Sequence, residues 1–212
     1  MQKNILPVYL SAVIFILFIG CEAPEHVDRV DIELDDLTGL QVAFLVGEGF
    51  HDGETFIPMG YLSAQGARVV VIGAEHGVVG SYNSDFTVEI QRTVDEVSPD
   101  DFDALVIPGG ESPAWLRGHD NVIAFAREFF EQQGITAAIC HGPQVLITAG
   151  VMSGRSATGV EGIKDELEEG GASFYDEPVV RDENLITSRI PDDLYHFSTT
   201  IEEAMLEATG RL

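Results

Sequence analysis

The chain has 212 residues, 45% of them hydrophobic and 8% aromatic, enough to bury a core in a single domain of ordinary size. Its charge is lopsided: 36 Asp and Glu stand against 11 Lys and Arg, a formal net charge of -25, and Lys3 and Lys164 are the only lysines. Such a surface has little with which to neutralise phosphates, so no nucleic-acid partner is expected, and neither composition nor repeats point to disorder or a solenoid.

The amino terminus, MQKNILPVYLSAVIFILFIGC, is apolar from Ile5 to Ile19. That run is shorter than the roughly 20 residues of a spanning helix, and Pro7 interrupts it. A cleaved export signal over residues 1–20 is expected, with an uncleaved membrane anchor as the alternative. The ending LFIGC resembles a bacterial lipobox. That resemblance implies lipidation of Cys21 and an exported lipoprotein held at the membrane on its periplasmic or cell-surface side. Residues 21–39 are acidic and lack apolar periodicity, as a tether does. Export permits disulfides, yet an acylated Cys21 leaves Cys140 without an intrachain partner. The acid excess fits either adaptation to saline surroundings, where screening relieves self-repulsion, or an ordinary acidic protein.

One folded domain is expected over residues 40–212. LQVAFLV (40–46), ARVVVIG (67–73), DALVIPG (103–109), ITAAIC (135–140) and NLITSR (184–189) read as strands buried on both faces. GETFIPMGYLSAQG, NVIAFAREFFEQQG and VEGIKDELEEGG read as amphipathic helices ended by glycine. EHGVVGSYNSDFTVEI reads as a small hairpin. The alternation predicts an α/β fold with a mainly parallel sheet and helices on both faces. Ligands in such folds gather at the carboxyl ends of the strands. The loops at 48–54, 109–113 and 140–143 are therefore expected to converge.

Cys140 lies between ITAAI and HGPQVLITAG, which reads as a helix starting almost at once. A sharp strand-to-helix turn lifts its side chain to the top of the sheet, and helix-start N-H groups favour a thiolate. A buried filler is the competing reading, since free cysteine is commonly buried. The following His141 and the position at a ligand-binding edge favour a nucleophile. The other histidines, His26, His76, His119 and His196, lack metal-ligand spacing.

AAICHGPQVLITAGVMSGRSATG, with DALVIPGGESP before it and GIKDELEEGGASFYDEPVVRDENLITSRIPDDL after it, resembles the ThiJ/PfpI family, closest to its PfpI-type branch, over about residues 40–210. The resemblance implies a flavodoxin-like, class I glutamine amidotransferase-like architecture, a cofactor-free cysteine enzyme, and a homodimer or higher homo-oligomer. It matches Cys140 to the family nucleophile and His141 to the histidine that follows it. In FHDGETFIP it matches Glu54 to the carboxylate that reaches the cysteine, with Glu48 a weaker candidate. A protonated carboxyl can donate to sulfur and then serve as general acid or base; a first-turn Glu serving the helix dipole is the alternative.

The glycines of PGG allow close approach, so the N-H groups of Gly110 and His141 are candidates for an oxyanion hole; a plain turn is the alternative. His141 would act as base only if the turn folds it back, because adjacent residues do not readily hold a linear Cys-His bond. In peptidase-type relatives an acid from a neighbouring subunit orients that histidine. Its position here is Ala114, in GGESPAWLR, unless Glu111 substitutes. Trp115 either narrows that space or packs in an interface. His51 stands where relatives carry an acid; it either tunes the Glu54 pocket or is a solvated loop residue. The expected chemistry is glyoxalase- or deglycase-like, on small reactive carbonyls or their adducts. Peptide or amide hydrolysis and non-catalytic oxidant sensing or binding are the alternatives.

Overall fold

The computed structural model describes residues 37–212; the expected leader, Cys21 and all but the end of the tether lie outside the described residues. The chain enters through Leu37, whose N-H donates to the Gln65 carbonyl, and forms β1 (Gln41–Leu45). The two-residue period of a strand sends Val42 and Phe44 to one face and Ala43 and Leu45 to the other, all fully buried. Next come α1 (Asp52–Ala64), β2 (Arg68–Gly73), the hairpin β3 (Gly77–Gly80) and β4 (Thr87–Ile90), and the short β5 (Arg92–Thr93). Then follow β6 (Ala104–Ile107), α2 (Ser112–Leu116), α3 (Asp120–Glu131), β7 (Ile135–Ile139), α4 (Pro143–Ala149) and β8 (Ser156–Ala157). The chain closes with α5 (Lys164–Glu169), β9 (Ser173–Phe174), β10 (Val179–Asp182), β11 (Leu185–Ser188) and α6 (Leu194–Ala208).

The main sheet has seven strands in the order β10-β11-β7-β6-β1-β2-β5. Every pairing in it is parallel except β10 with β11. The inner order β2-β1-β6-β7-β11 is flavodoxin-like. On one face Val42, Phe44 and Val106 pack with Leu62 of α1 and with Phe197, Ile201 and Met205 of α6. On the other, Leu45, Leu105 and Ile107 pack with Phe125 and Phe129 of α3 and Leu146 of α4. Both faces are covered, which is why these strands carry apolar residues at consecutive positions.

Three local expectations change. At the start of β2 Arg68 is exposed and Val69 and Val70 are half-buried rather than buried, because β5 pairs only with Ile72 and Gly73 and leaves residues 68–70 at a sheet edge. The segment at 160–171 begins as a 3-10 turn over Glu161–Ile163 before becoming α5. At the end of α3 the left-handed residue is Gln133, with φ 65°, not Gly134. Gly134 is needed for another reason: the Phe129 ring occupies the space a side chain there would fill.

Candidate active site

At the carboxyl end of β7 the chain must turn at once from strand to helix, and Cys140 takes the turn with φ 61°. A non-glycine residue in this left-handed region carries strain of about 1 kcal/mol or more. Both flanking backbone groups are fixed: Cys140 N-H donates to the Ser188 carbonyl at 3.0 Å, and its carbonyl accepts from Val160 at 3.1 Å. The thiol is nearly buried, 9% exposed.

Glu54, in the first turn of α1, is fully buried beneath this turn. Its Oε2 accepts the Gly109 N-H at 2.9 Å. Its Oε1 is buried without a hydrogen bond of good geometry, and the carboxyl and the Cys140 thiol interact directly. Gly109 has no room for a side chain: a Cβ would lie 2.6 Å from Glu54 Oε2 and 2.7 Å from Cys140 Cβ. Gly110, with φ 80°, turns the loop so that its N-H and that of His141 point at the sulfur.

Burial pushes the Cys140 thiol up to about 12, with the Glu54 carboxylate as the second cause; the N-H groups of Gly110 and His141 pull the other way. The helix-start expectation of a low-pKa thiolate thus meets an opposing effect, the desolvation of a sulfur set next to a carboxylate. Burial likewise raises Glu54. Two acids so close form a coupled pair that favours holding one proton between them. With that proton on Glu54, the repulsion on sulfur disappears and the carboxyl O-H becomes a donor to a thiolate.

His141 does fold back. Its Nδ1 lies 3.3 Å from Cys140 Sγ, because the left-handed turn at Cys140 swings neighbouring side chains toward each other. Burial lowers its pKa, and the Glu166 carboxylate opposes that. Glu166 is held by Arg117 at 2.5 Å and by Gln144 at 2.7 Å. This same-chain carboxylate lay in KDELEE with no local signal to single it out.

The remaining candidates make other contacts. His51 caps α1, its Nδ1 accepting the Glu54 N-H at 3.4 Å, and its own N-H donates to the Gly109 carbonyl. Glu48 holds the Gly80 N-H at 3.0 Å, tying the hairpin to the site loop. Glu111 starts α2 against Gly49, where its N-H donates to the Gly49 carbonyl, and forms no bond to His141. Ala114 is exposed on α2. Trp115 packs against Gly47 and the core beneath α3, which accounts for its bulk. Arg189 spans Asp193 at 3.0 Å and Asp176 at 2.6 Å, fixing the start of α6.

Cavity size does not mark this site. A groove of about 580 Å³ lined by Gln41, Arg68, Gln91 and Phe102 lies at the amino ends of the strands. The chemistry gathers at the carboxyl ends, where α/β sheets place it.

A family model described as DJ-1/PfpI matches residues 40–204. Deglycase PfpI of Pyrococcus furiosus is 40% identical over 156 residues, 74% of this chain and 93% of that one. Protein/nucleic acid deglycase 2 of Escherichia coli is 41% identical over 160 residues, again 74% and 93%. Drosophila melanogaster DJ-1beta superposes with a TM-score of 0.72 and 31% identity, covering 81% of this chain and 96% of that one. A two-domain protein of Anabaena variabilis, with DJ-1/ThiJ/PfpI-like and ferritin-like domains, gives 0.76 and 38%, covering 81% and 48%. Deglycase-named enzymes thus stand among the relatives, and with the matched segment spanning sheet and site alike, the chain belongs to the DJ-1/PfpI family.

Proposed function

We propose that this protein is a cofactor-independent cysteine enzyme acting on small reactive carbonyls, or on their early adducts with amines and thiols, in glyoxalase- or deglycase-like fashion. The observation that carries the reading is the buried pair at the elbow: Cys140 in a strained turn, interacting with a fully buried Glu54 carboxyl whose Oε1 has no hydrogen-bond partner. A purely structural glutamate would have no reason to be buried with an oxygen left open.

In this reading Cys140 Sγ adds to the aldehyde carbon of a 2-oxoaldehyde, and the new alkoxide lies against the N-H groups of Gly110 and His141. The alkoxide takes up a proton to give a thiohemiacetal. Glu54 removes the C-H proton of that adduct and returns it to the neighbouring carbon while the hydroxyl proton passes to the former ketone oxygen, which converts the adduct to a thioester. Water then cleaves the thioester, releasing a 2-hydroxy acid and restoring the thiol. The sum is carbonyl plus water to hydroxy acid, with no external oxidant. On an adduct with an amine or thiol, Sγ displaces that group from the same carbon, the leaving nitrogen or sulfur takes a proton from Glu54, and the resulting thiohemiacetal proceeds as before.

The test is turnover of methylglyoxal by purified protein, read as lactate. Wild type is expected to turn over, Cys140→Ala to be inactive, and Glu54→Gln to lose roughly 10²–10⁴-fold, the usual contribution of a positioned acid-base group. No lactate from wild type, or an undiminished Glu54→Gln, overturns the reading.

Amide or peptide hydrolysis is a second reading, favoured by the 3.3 Å approach of His141 Nδ1 to the sulfur. Without a carboxylate at Ala114, any orienting charge would come from Glu166. Hydrolysis of a fluorogenic peptide amide that His141→Ala abolishes, with no effect on methylglyoxal turnover, would separate it from the first.

A further inference from the structure

The hairpin β3-β4 has no part in the sheet, yet it is bonded into the site. Its tip is tied to the site loop by Gly49 N-H to the Gly80 carbonyl at 2.9 Å, Tyr82 N-H to the Phe50 carbonyl at 3.1 Å, and the Asn83 amide to Asp52 at 2.7 Å. Phe50 is bridged to Ser81 on one side and to Gly110 on the other. Hairpin tip, site loop and the Gly110 loop therefore form one continuous backbone layer beside Cys140. A hairpin serving only to close a turn has no need of three attachments at its tip.

Tyr82 is the residue this layer presents. Its ring meets His51 at 5.7 Å between centroids and 66° between planes, an edge-to-face contact that fixes its orientation. Yet 52% of it remains exposed, and its hydroxyl has no hydrogen-bond partner among the described residues. Burial and the charges of Glu54, Cys140, Asp52 and Glu111 all raise the phenol's pKa, which sets it in the field of the reacting pair. A large side chain is thus held in place, half open, at the mouth of the site.

We propose that Tyr82 is the specificity-determining residue of this site, the wall on which the substituent of the substrate lies while Cys140 engages its reactive carbon, and that it selects planar, aromatic substituents over a bare methyl. For its substrate this rests on the carbonyl reading above. The ring is preorganised by His51 and by the backbone ties of its own residue, so a flat group can stack on it with little ordering cost. Phe50 and Phe56 pack edge to face behind this layer, 5.7 Å apart, and stiffen α1 beneath it.

The experiment compares wild type, Tyr82→Phe and Tyr82→Ala in the full chain by two ratios. The first is kcat/KM for phenylglyoxal over that for methylglyoxal. The second needs no turnover: the rate of Cys140 alkylation by iodoacetanilide over that by iodoacetamide. In the first ratio a fraction of misfolded protein cancels; in the second, only the Cys140 alkylation phase of protein that is folded by circular dichroism is compared. Tyr82→Ala is expected to lower both roughly tenfold, the scale at which a pocket contact discriminates, while Tyr82→Phe keeps both within about twofold. Unchanged ratios in Tyr82→Ala overturn the proposal. Should wild type turn over neither glyoxal, the carbonyl reading fails and the alkylation ratio alone decides the role of Tyr82.

Discussion

Glu54 sets the terms on which this site exists. A carboxyl whose folded-state pKa is raised adds stability that is fully present below its unfolded value and lost as pH rises through the folded one. Burial raises Glu54, so its ionised form weakens the fold at neutral and alkaline pH. Glutamine keeps an oxygen for the Gly109 N-H and never ionises. Glu54→Gln is therefore expected to unfold at higher temperature than wild type at pH 8, by roughly 2–4 °C for each kcal/mol recovered. The advantage shrinks as pH falls from the raised folded value toward the ordinary glutamate value, and is gone below it. Thermal melts of both proteins from pH 4 to pH 8 read this directly; a variant less stable at pH 8 would mean that the carboxylate holds the elbow together. The expected opposition of stability to activity at one residue is usual where a site is preorganised at the expense of the fold. Cys140 and Gly110 could be singled out from the chain because they sit just past strand ends, whereas Glu54 was singled out by the family resemblance of FHDGETFIP. The approach of His141 to the sulfur could not, because it depends on a φ of 61° that no residue type announces.

At the scale of elements, the ends of strands and helices carry the local conflicts. Gln133 closes α3 with φ 65°, a conformation that suits glycine and costs other residues about 1–2 kcal/mol. Gln133→Gly is expected to stabilise the protein by about 1 kcal/mol, or roughly 2–4 °C in Tm. A melt that moves the other way would show that the Gln133 side chain contributes more than its backbone costs. The same helix shows what a sequence conveys and what it hides. Its amphipathic period made α3 legible, as the apolar runs did for β1, β6, β7 and β11. Its glycine was legible as an end signal but not in its role, since Gly134 is dictated by Phe129 of the same helix packing back over it. The partly open start of β2 was hidden too. VVVI reads alike at a sheet centre and at an edge, and only the brevity of β5 decides.

For the whole molecule the governing quantity is charge. With 36 acidic and 11 basic residues, most carboxylates have no cation to meet. Among the described residues Arg117, Arg155, Arg181 and Arg189 are each committed to one or two carboxylates. Pairs this close to solvent contribute little each and weaken with salt. Repulsion among the unpaired carboxylates weakens with salt as well, and a net charge of -25 makes it the larger effect. The two have opposite signs, so salt decides between them. Raising potassium chloride from 0.01 M to 1 M shortens the screening length from about 30 Å to about 3 Å. Tm is expected to rise by roughly 5 °C, an increment of between 1 and 3 kcal/mol for a domain of this size. Most of that gain arrives below about 0.15 M, where the screening length has already dropped to about 8 Å. A rise spread evenly to molar salt would instead indicate exclusion of salt from the surface, and a fall would show that the arginine pairs outweigh the repulsion.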